Sequence, residues 1–183
     1  MTCCVDSKLG AFASLFAFAA FNASSFAEEV GDMWGTAVRE RAYYRVVNIP
    51  IPKNLVMEAG AFVTLPDNRI AVGTRRGDVY LIEGVDAEKP APRYKLFATG
   101  LDEIFGLAYK DGAFYVSQSC ELTRVTDRNG DGKADRFEVI SDAWGYANYH
   151  EYAFGSKFDP QGNLYVAESG TGRRVQRFKP TTN

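Results

Sequence analysis

Ala61-Phe-Val-Thr-Leu-Pro-Asp-Asn-Arg-Ile-Ala-Val72 is a short apolar run, a turn of Pro, Asp and Asn, and a second run that alternates apolar with polar. That pattern reads as a tight β-hairpin. It returns at Gly106-Leu-Ala-Tyr-Lys-Asp-Gly-Ala-Phe-Tyr-Val116 and at Gly155-Ser-Lys-Phe-Asp-Pro-Gln-Gly-Asn-Leu-Tyr-Val166. The starts are 45 and 49 residues apart, the period of a four-stranded propeller blade. The expected fold class is all-β: a partial β-propeller of about three four-stranded antiparallel blades.

Outward from these hairpins, blade one reads as strands near 61–65, 70–74, 78–82 and 93–98, punctuated by Gly77-Asp78 and Gly84. Blade two follows near 105–109, 113–117, 121–126 and 136–140, and blade three near 154–158, 163–167 and 173–178. The third blade lacks an outer strand. Ala42-Tyr-Tyr-Arg-Val-Val-Asn-Ile49 is rich in β-formers and is expected to be a strand, stopped by Pro50 and Pro52. Three wedge-shaped sheets leave open flanks. Residues 42–183 therefore read as an incomplete propeller domain, with blades near 61–98, 105–140 and 154–178, and as the N-terminal part of a longer one.

The chain is 46% hydrophobic, 24% charged and 14% aromatic with a formal charge of −2, as in a soluble domain. Without a clustered Lys/Arg face, no nucleic-acid partner is expected. Lys8, the apolar run Leu9 to Phe21 and the small residues of Ser25-Phe26-Ala27 mark residues 1–27 as a signal peptide. The apolar run is too short to span a bilayer, so no transmembrane anchor is expected. Residues 28–41 are polar and read as a loose segment. The protein is expected to be exported, periplasmic or extracellular. Cys3 and Cys4 leave with the signal, so Cys120 stays alone without a disulfide partner, as a buried and inert thiol. No C-x-x-C-H occurs, which excludes covalent c-type haem in this chain.

Asp127-Arg-Asn-Gly-Asp-Gly-Lys-Ala-Asp-Arg-Phe-Glu138 matches the twelve-position calcium loop. Asp127, Asn129 and Asp131 hold positions 1, 3 and 5, Gly132 holds 6, Asp135 holds 9 and Glu138 holds 12. Position 7 offers the carbonyl of Lys133. Oxygen donors at alternate positions suit a hard cation that takes six to eight oxygens, and Gly132 permits the sharp turn between them. The flanks alternate as strands and not as the helices of an EF-hand, so the loop joins two strands of one blade. Glu138 lies inside the second of these, which leaves Asp127, Asn129, Asp131 and Asp135 as the firmer ligands. As a third-to-fourth strand connection, the loop sits opposite the inter-blade face, and its calcium is structural. A metal-free Asx-rich hairpin is the alternative.

Ser141-Asp-Ala-Trp-Gly-Tyr-Ala-Asn-Tyr-His-Glu-Tyr-Ala153 carries the chain's single histidine among Trp144, Tyr146, Tyr149 and Tyr152. It enters the innermost strand of blade three, which places His150 near the central axis as a candidate general base. The aromatic neighbours suit a sugar ring or a planar cofactor. On an extended segment Glu151 points the other way. Arg75, Arg76, Gln118 and Glu103 are expected on the same face. Equally open is a structural role, with the aromatics wedged between blades and His150 bonded to a carbonyl. Ser169-Gly-Thr-Gly172 reads as a hairpin turn and not as a phosphate loop.

Gly73-Thr-Arg-Arg-Gly-Asp-Val-Tyr80, Glu121-Leu-Thr-Arg124 with Asp131-Gly-Lys-Ala-Asp135, and Tyr149-His-Glu-Tyr-Ala-Phe-Gly155 resemble the secreted propeller domain of planctomycete-type proteins. That domain is similar to glucose/sorbosone dehydrogenases. The resemblance implies a six-bladed parent, sugar or alcohol oxidation with pyrroloquinoline quinone (PQQ), and a c-type cytochrome domain elsewhere in the parent. It implies His150 as catalytic base, although Tyr152-Ala153 replaces an expected Gly-Gly pair. Two functions follow as expectations. One is a quinoprotein-type dehydrogenase domain acting on a small sugar or alcohol. The other is a non-catalytic, calcium-stabilised extracellular scaffold binding carbohydrate.

Overall fold

A computed structural model describes residues 42–144, 152–169 and 174–179. The chain divides into two units, Met1–Arg45 and Val46–Asn183. Within the second, eleven strands form three antiparallel sheets. The first sheet is β1 (Ala59–Thr64), β2 (Ile70–Thr74), β3 (Val79–Glu83) and β4 (Arg93–Ala98). The second is β5 (Gly106–Lys110), β6 (Ala113–Ser117), β7 (Leu122–Thr126) and β8 (Arg136–Ser141). The third has three strands, β9 (Ala153–Phe158), β10 (Leu164–Glu168) and β11 (Val175–Phe178). The fold is all-β. Among the described residues there is no helix, and none long and apolar enough to cross a membrane.

Each strand lies within about two residues of its expected place, because the turns are chemically specified. Between β5 and β6, Asp111 and Gly112 take φ values of 50° and 78°, the two left-handed residues of a tight hairpin whose twist matches its strands. One expectation fails. Residues 42–49 form no strand, and Tyr43, Tyr44 and Val46 are 82%, 78% and 90% exposed. β-Propensity describes how a side chain fits a paired, half-buried surface, and here no neighbouring strand pairs with the segment.

Consecutive sheets are joined through their first strands, with β5 lying against both β1 and β9. Ala71, Val79, Leu81 and Phe97 of the first sheet meet Leu107, Phe114, Val116 and Val125 of the second. Ile104, fully buried on the connection between them, plugs the joint. Small residues permit the approach: a Cβ on Gly73 would fall 2.4 Å from the Ile104 Cγ2. Between the second and third sheets, Ala108 and Leu122 meet Ala153, Leu164 and Val166.

Strand alternation sorts the turns to two ends. The connection from β4 to β5 bonds to the β2–β3 turn, Leu101 N–H donating to the Gly77 carbonyl (3.1 Å) and Ile104 N–H to the Thr74 carbonyl (3.2 Å). That end also carries the β6–β7 turn, whose Gln118 Oε1 accepts from the Asp102 amide (2.6 Å). The β1–β2, β3–β4 and β7–β8 turns lie at the opposite end, where residues 67–69 and 83–86 line one shallow cavity.

Candidate functional site

The β7–β8 turn departs from the tight hairpins elsewhere because alternate side chains, not only backbone groups, close it. Asp127 Oδ1 accepts from the Gly130 amide and its Oδ2 from the Gly132 amide, both at 2.7 Å. Asn129 Oδ1 accepts from the Asp131 amide (2.9 Å), and Asp131 Oδ1 from the Lys133 amide (2.8 Å). Gly130 and Gly132 take the left-handed φ values of 76° and 81° that wind the turn. Each accepting oxygen keeps a second lone pair. A hard cation, if it binds, would be held by the side chains of Asp127, Asn129 and Asp131 and the Lys133 carbonyl.

The other two expected ligands, Asp135 and Glu138, also accept bonds from the chain, and theirs include arginine partners. Asp135 Oδ1 accepts from the Arg128 amide (3.0 Å) and from its Nε (3.3 Å). The amide first, and then the guanidinium, hold its carboxyl below the ordinary range. Glu138 stands in β8 opposite Arg124. Its Oε1 is taken by Arg136 and its Oε2 by Arg124 at 3.0 Å, and these arginines lower its pKa, Arg136 foremost. Glu138 is part of β8, and the strand's pleat fixes its direction toward Arg124. Among the described residues no three His, Cys, Asp or Glu side chains converge as a metal cluster; a cation in this loop would need the Asn129 amide oxygen and a backbone carbonyl as well as carboxylates.

The loop also reaches across to the preceding sheet. Lys95 Nζ in β4 donates to the Asp131 carbonyl (3.2 Å), and the Ala134 amide donates to the Phe97 carbonyl (2.7 Å). Gly132 lies so close to this strand that a Cβ there would stand 1.9 Å from Lys95 Nζ. Ala134 packs against the core between the two sheets. Sequence reading found the loop and missed Lys95, which stands 36 residues from its acceptor and carries no local signal of it.

At the other end Arg75, Arg76, Gln118 and Glu103 stand as expected, but already paired. Arg75 Nη2 donates to Glu103 Oε1 (2.9 Å), which raises the Arg75 pKa, and Arg76 Nη2 donates to Glu58 Oε1 (3.3 Å). Gln118 Nε2 donates to Thr123 Oγ1 (2.6 Å) and Glu121 Oε1 (2.9 Å). Arg75 lies over the Phe105 ring at 5.8 Å, and Phe105 meets Tyr152 at 4.5 Å and Phe154 at 5.5 Å. Phe105 and Phe154 are additions to the aromatic group expected from sequence.

His150, Glu151, Tyr146 and Tyr149 lie outside the described residues. Trp144 packs edge-on to Phe178 at 6.4 Å, in the apolar group between the second and third sheets. Ser169 fastens the start of β9, its Oγ accepting from the Tyr152 amide and donating to the Tyr152 carbonyl, both at 3.0 Å. The rest of the Gly-Thr-Gly turn lies outside the described residues. Cys120 is half-buried and not fully enclosed. Burial, followed by the carboxylates of Asp102 and Glu121, raises its pKa and keeps it a thiol.

The chain belongs to a family described as a domain of unknown function, DUF7133, which matches it over residues 53–182. No curated protein matches it.

Proposed function

We propose that the chain is a sector of an exported six-bladed β-propeller that serves as a calcium-stabilised binding scaffold. The carrying observation is the β7–β8 loop. Its Asp127, Asn129 and Asp131 side chains are already oriented by backbone amides, and the loop is bonded to the neighbouring sheet through Lys95 and Phe97. A cation there would neutralise adjacent carboxylates and fix the loop against β4. Carbohydrate is the expected ligand class, because Phe105, Tyr152 and Phe154 gather where the connections between sheets run. The test is calorimetric: the chelator-treated protein should bind calcium with one-to-one stoichiometry and bind sugars without turning them over.

A second reading is the quinoprotein-type dehydrogenase, with His150 as base. The same aromatic group favours it, since its Tyr152 stands two residues beyond His150 in the chain. PQQ would supply the hydride acceptor. Arg75 and Arg76 do not fit it well, because each is ion-paired to a carboxylate and the quinone's own carboxylates want free cations. Reduction of an artificial electron acceptor by the protein with added quinone and sugar, lost in His150→Ala, would establish this reading over the scaffold.

A further inference from the structure

The first two sheets close on each other around Ile104 but stand apart where β8 passes the β4–β5 connection. In β8, Phe137 and Val139 lie across from Val125 and Thr123 of β7, so each shares a face with its buried partner. Val125 belongs to the core between these two sheets. Yet Phe137 and Val139 are 47% and 58% exposed. Between them and Thr99 to Leu101 lies a cavity of about 250 Å³.

The rest of its lining is polar and already ordered. Gln118 and Thr123, 5% and 2% exposed, line it together with Glu121. The Asp102 amide donates to Gln118 Oε1 (2.6 Å), which leaves the Gln118 Nε2 to donate to Thr123 Oγ1 (2.6 Å) and Glu121 Oε1 (2.9 Å). Thr123 Oγ1 in turn donates its own proton to Glu121 Oε1 (2.6 Å). Two neutral donors thus hold one carboxylate oxygen, and both are themselves held. Among the described residues nothing bonds the other oxygen, Glu121 Oε2.

Neutral donors orient a carboxylate without cancelling its charge. No ion pair among the described residues includes Glu121, and no Lys or Arg is among the described residues that line the cavity. Asp78 stands behind the wall as a second negative charge, its Oδ1 accepting from Thr99 Oγ1 (2.6 Å). An anion is repelled here, and a neutral hydroxyl leaves the charge uncompensated. A cation with an apolar body satisfies both sides: its N–H groups make charge-assisted bonds to Glu121, and its carbon atoms cover Phe137 and Val139.

We propose that this cavity binds a small organic ammonium ion, with Glu121 Oε2 accepting from the ammonium and Phe137 and Val139 packing on its carbon skeleton. The cavity shares no lining residue with the Phe105 aromatic group or with the oxygen donors of the β7–β8 loop. It therefore stands whether or not calcium or sugar binds.

Benzylammonium and benzyl alcohol test it, being probes of equal size that differ in the charge of one polar group. Titrated into the whole chain and followed by amide NMR shifts, benzylammonium should bind at least about tenfold more tightly than the alcohol. The shifts should centre on Leu101, Glu121 and Val139. Glu121→Gln keeps the side chain's size and an oxygen for Gln118 and Thr123, and it should abolish the preference, so that the two probes bind alike. Phe137→Ser, at an exposed position, should weaken both probes by about threefold or more and leave the preference in place. The wild-type comparison and this second variant decide the matter even where Glu121→Gln disturbs its turn. Absence of benzylammonium binding, equal binding of both probes by the wild type, shifts centred elsewhere, or a preference that survives in folded Glu121→Gln would each overturn the site.

Discussion

The Lys95 ammonium in β4 of the first sheet donates to the Asp131 backbone carbonyl in the β7–β8 loop of the second, at 3.2 Å. One flexible cation thus ties a loop of oxygen donors to the sheet before it. Because Gly132 leaves no space beside that cation, the loop, the strand and the interface are coupled.

Gly132→Ala should lower stability by about 1–3 kcal/mol. The left-handed φ of 81° strains any side chain, and the new methyl displaces Lys95 from its acceptor. In a Lys95→Ala background the displacement is already made, so the same change should cost less. A double-mutant cycle by urea denaturation measures the difference; additive costs would separate Gly132 from Lys95.

Asp127→Ala removes the acceptor of two loop amides, Gly130 and Gly132. Loss of about 1–2 kcal/mol is expected without calcium, from two donors left without their partner in a partly exposed turn. Amide exchange at Gly130 and Gly132 should accelerate, while that in β5 and β6 should not.

Ile104→Ala empties the joint between the first two sheets and should cost about 2–5 kcal/mol. Gly106→Ala attacks the next joint by a different route, since its Cβ would stand 2.5 Å from the Gly155 carbonyl oxygen. Two backbones must then separate. Thermal unfolding of the two variants compares a cavity with a collision.

Stability should fall on acidification. Asp159 is held below its ordinary value of 3.8, first by the Asn163 side-chain amide and also by the Asn163 backbone amide and the Tyr165 hydroxyl. Arg136 and Arg124 do the same for Glu138, below 4.5. A carboxyl with a lowered folded pKa stabilises fully above its unfolded value, and that stability is lost as pH falls through the folded one. Melting temperature followed from pH 6 downward should therefore drop around and below pH 4, less steeply in Asn163→Ala. An unchanged slope would remove Asn163 from the account.

What was legible in the sequence was what depends on near neighbours. Asp111-Gly112 specifies its turn within two residues, and alternation on either side specifies β5 and β6. Asp127, Asn129 and Asp131 declare a loop because their partners lie within the same turn. The Ala42–Ile49 segment shows the limit: its composition favours a strand, yet pairing needs a partner that composition does not name. Lys95 and Ile104 show another, since their roles exist only when two sheets meet. Glu138 fits the loop by spacing, but its arginine partners Arg124 and Arg136 were not legible, since Arg124 meets it only across the β7–β8 ladder.

Calcium stabilisation of the β7–β8 loop is the central claim, and differential scanning calorimetry of chelator-treated protein, with and without added calcium, tests it most directly. At free calcium about a hundred times the dissociation constant, the account predicts about 2.7 kcal/mol of stabilisation and a rise of roughly 5–10 °C in melting temperature, abolished in Asp127→Ala. Identical melting with calcium and with chelator would contradict it.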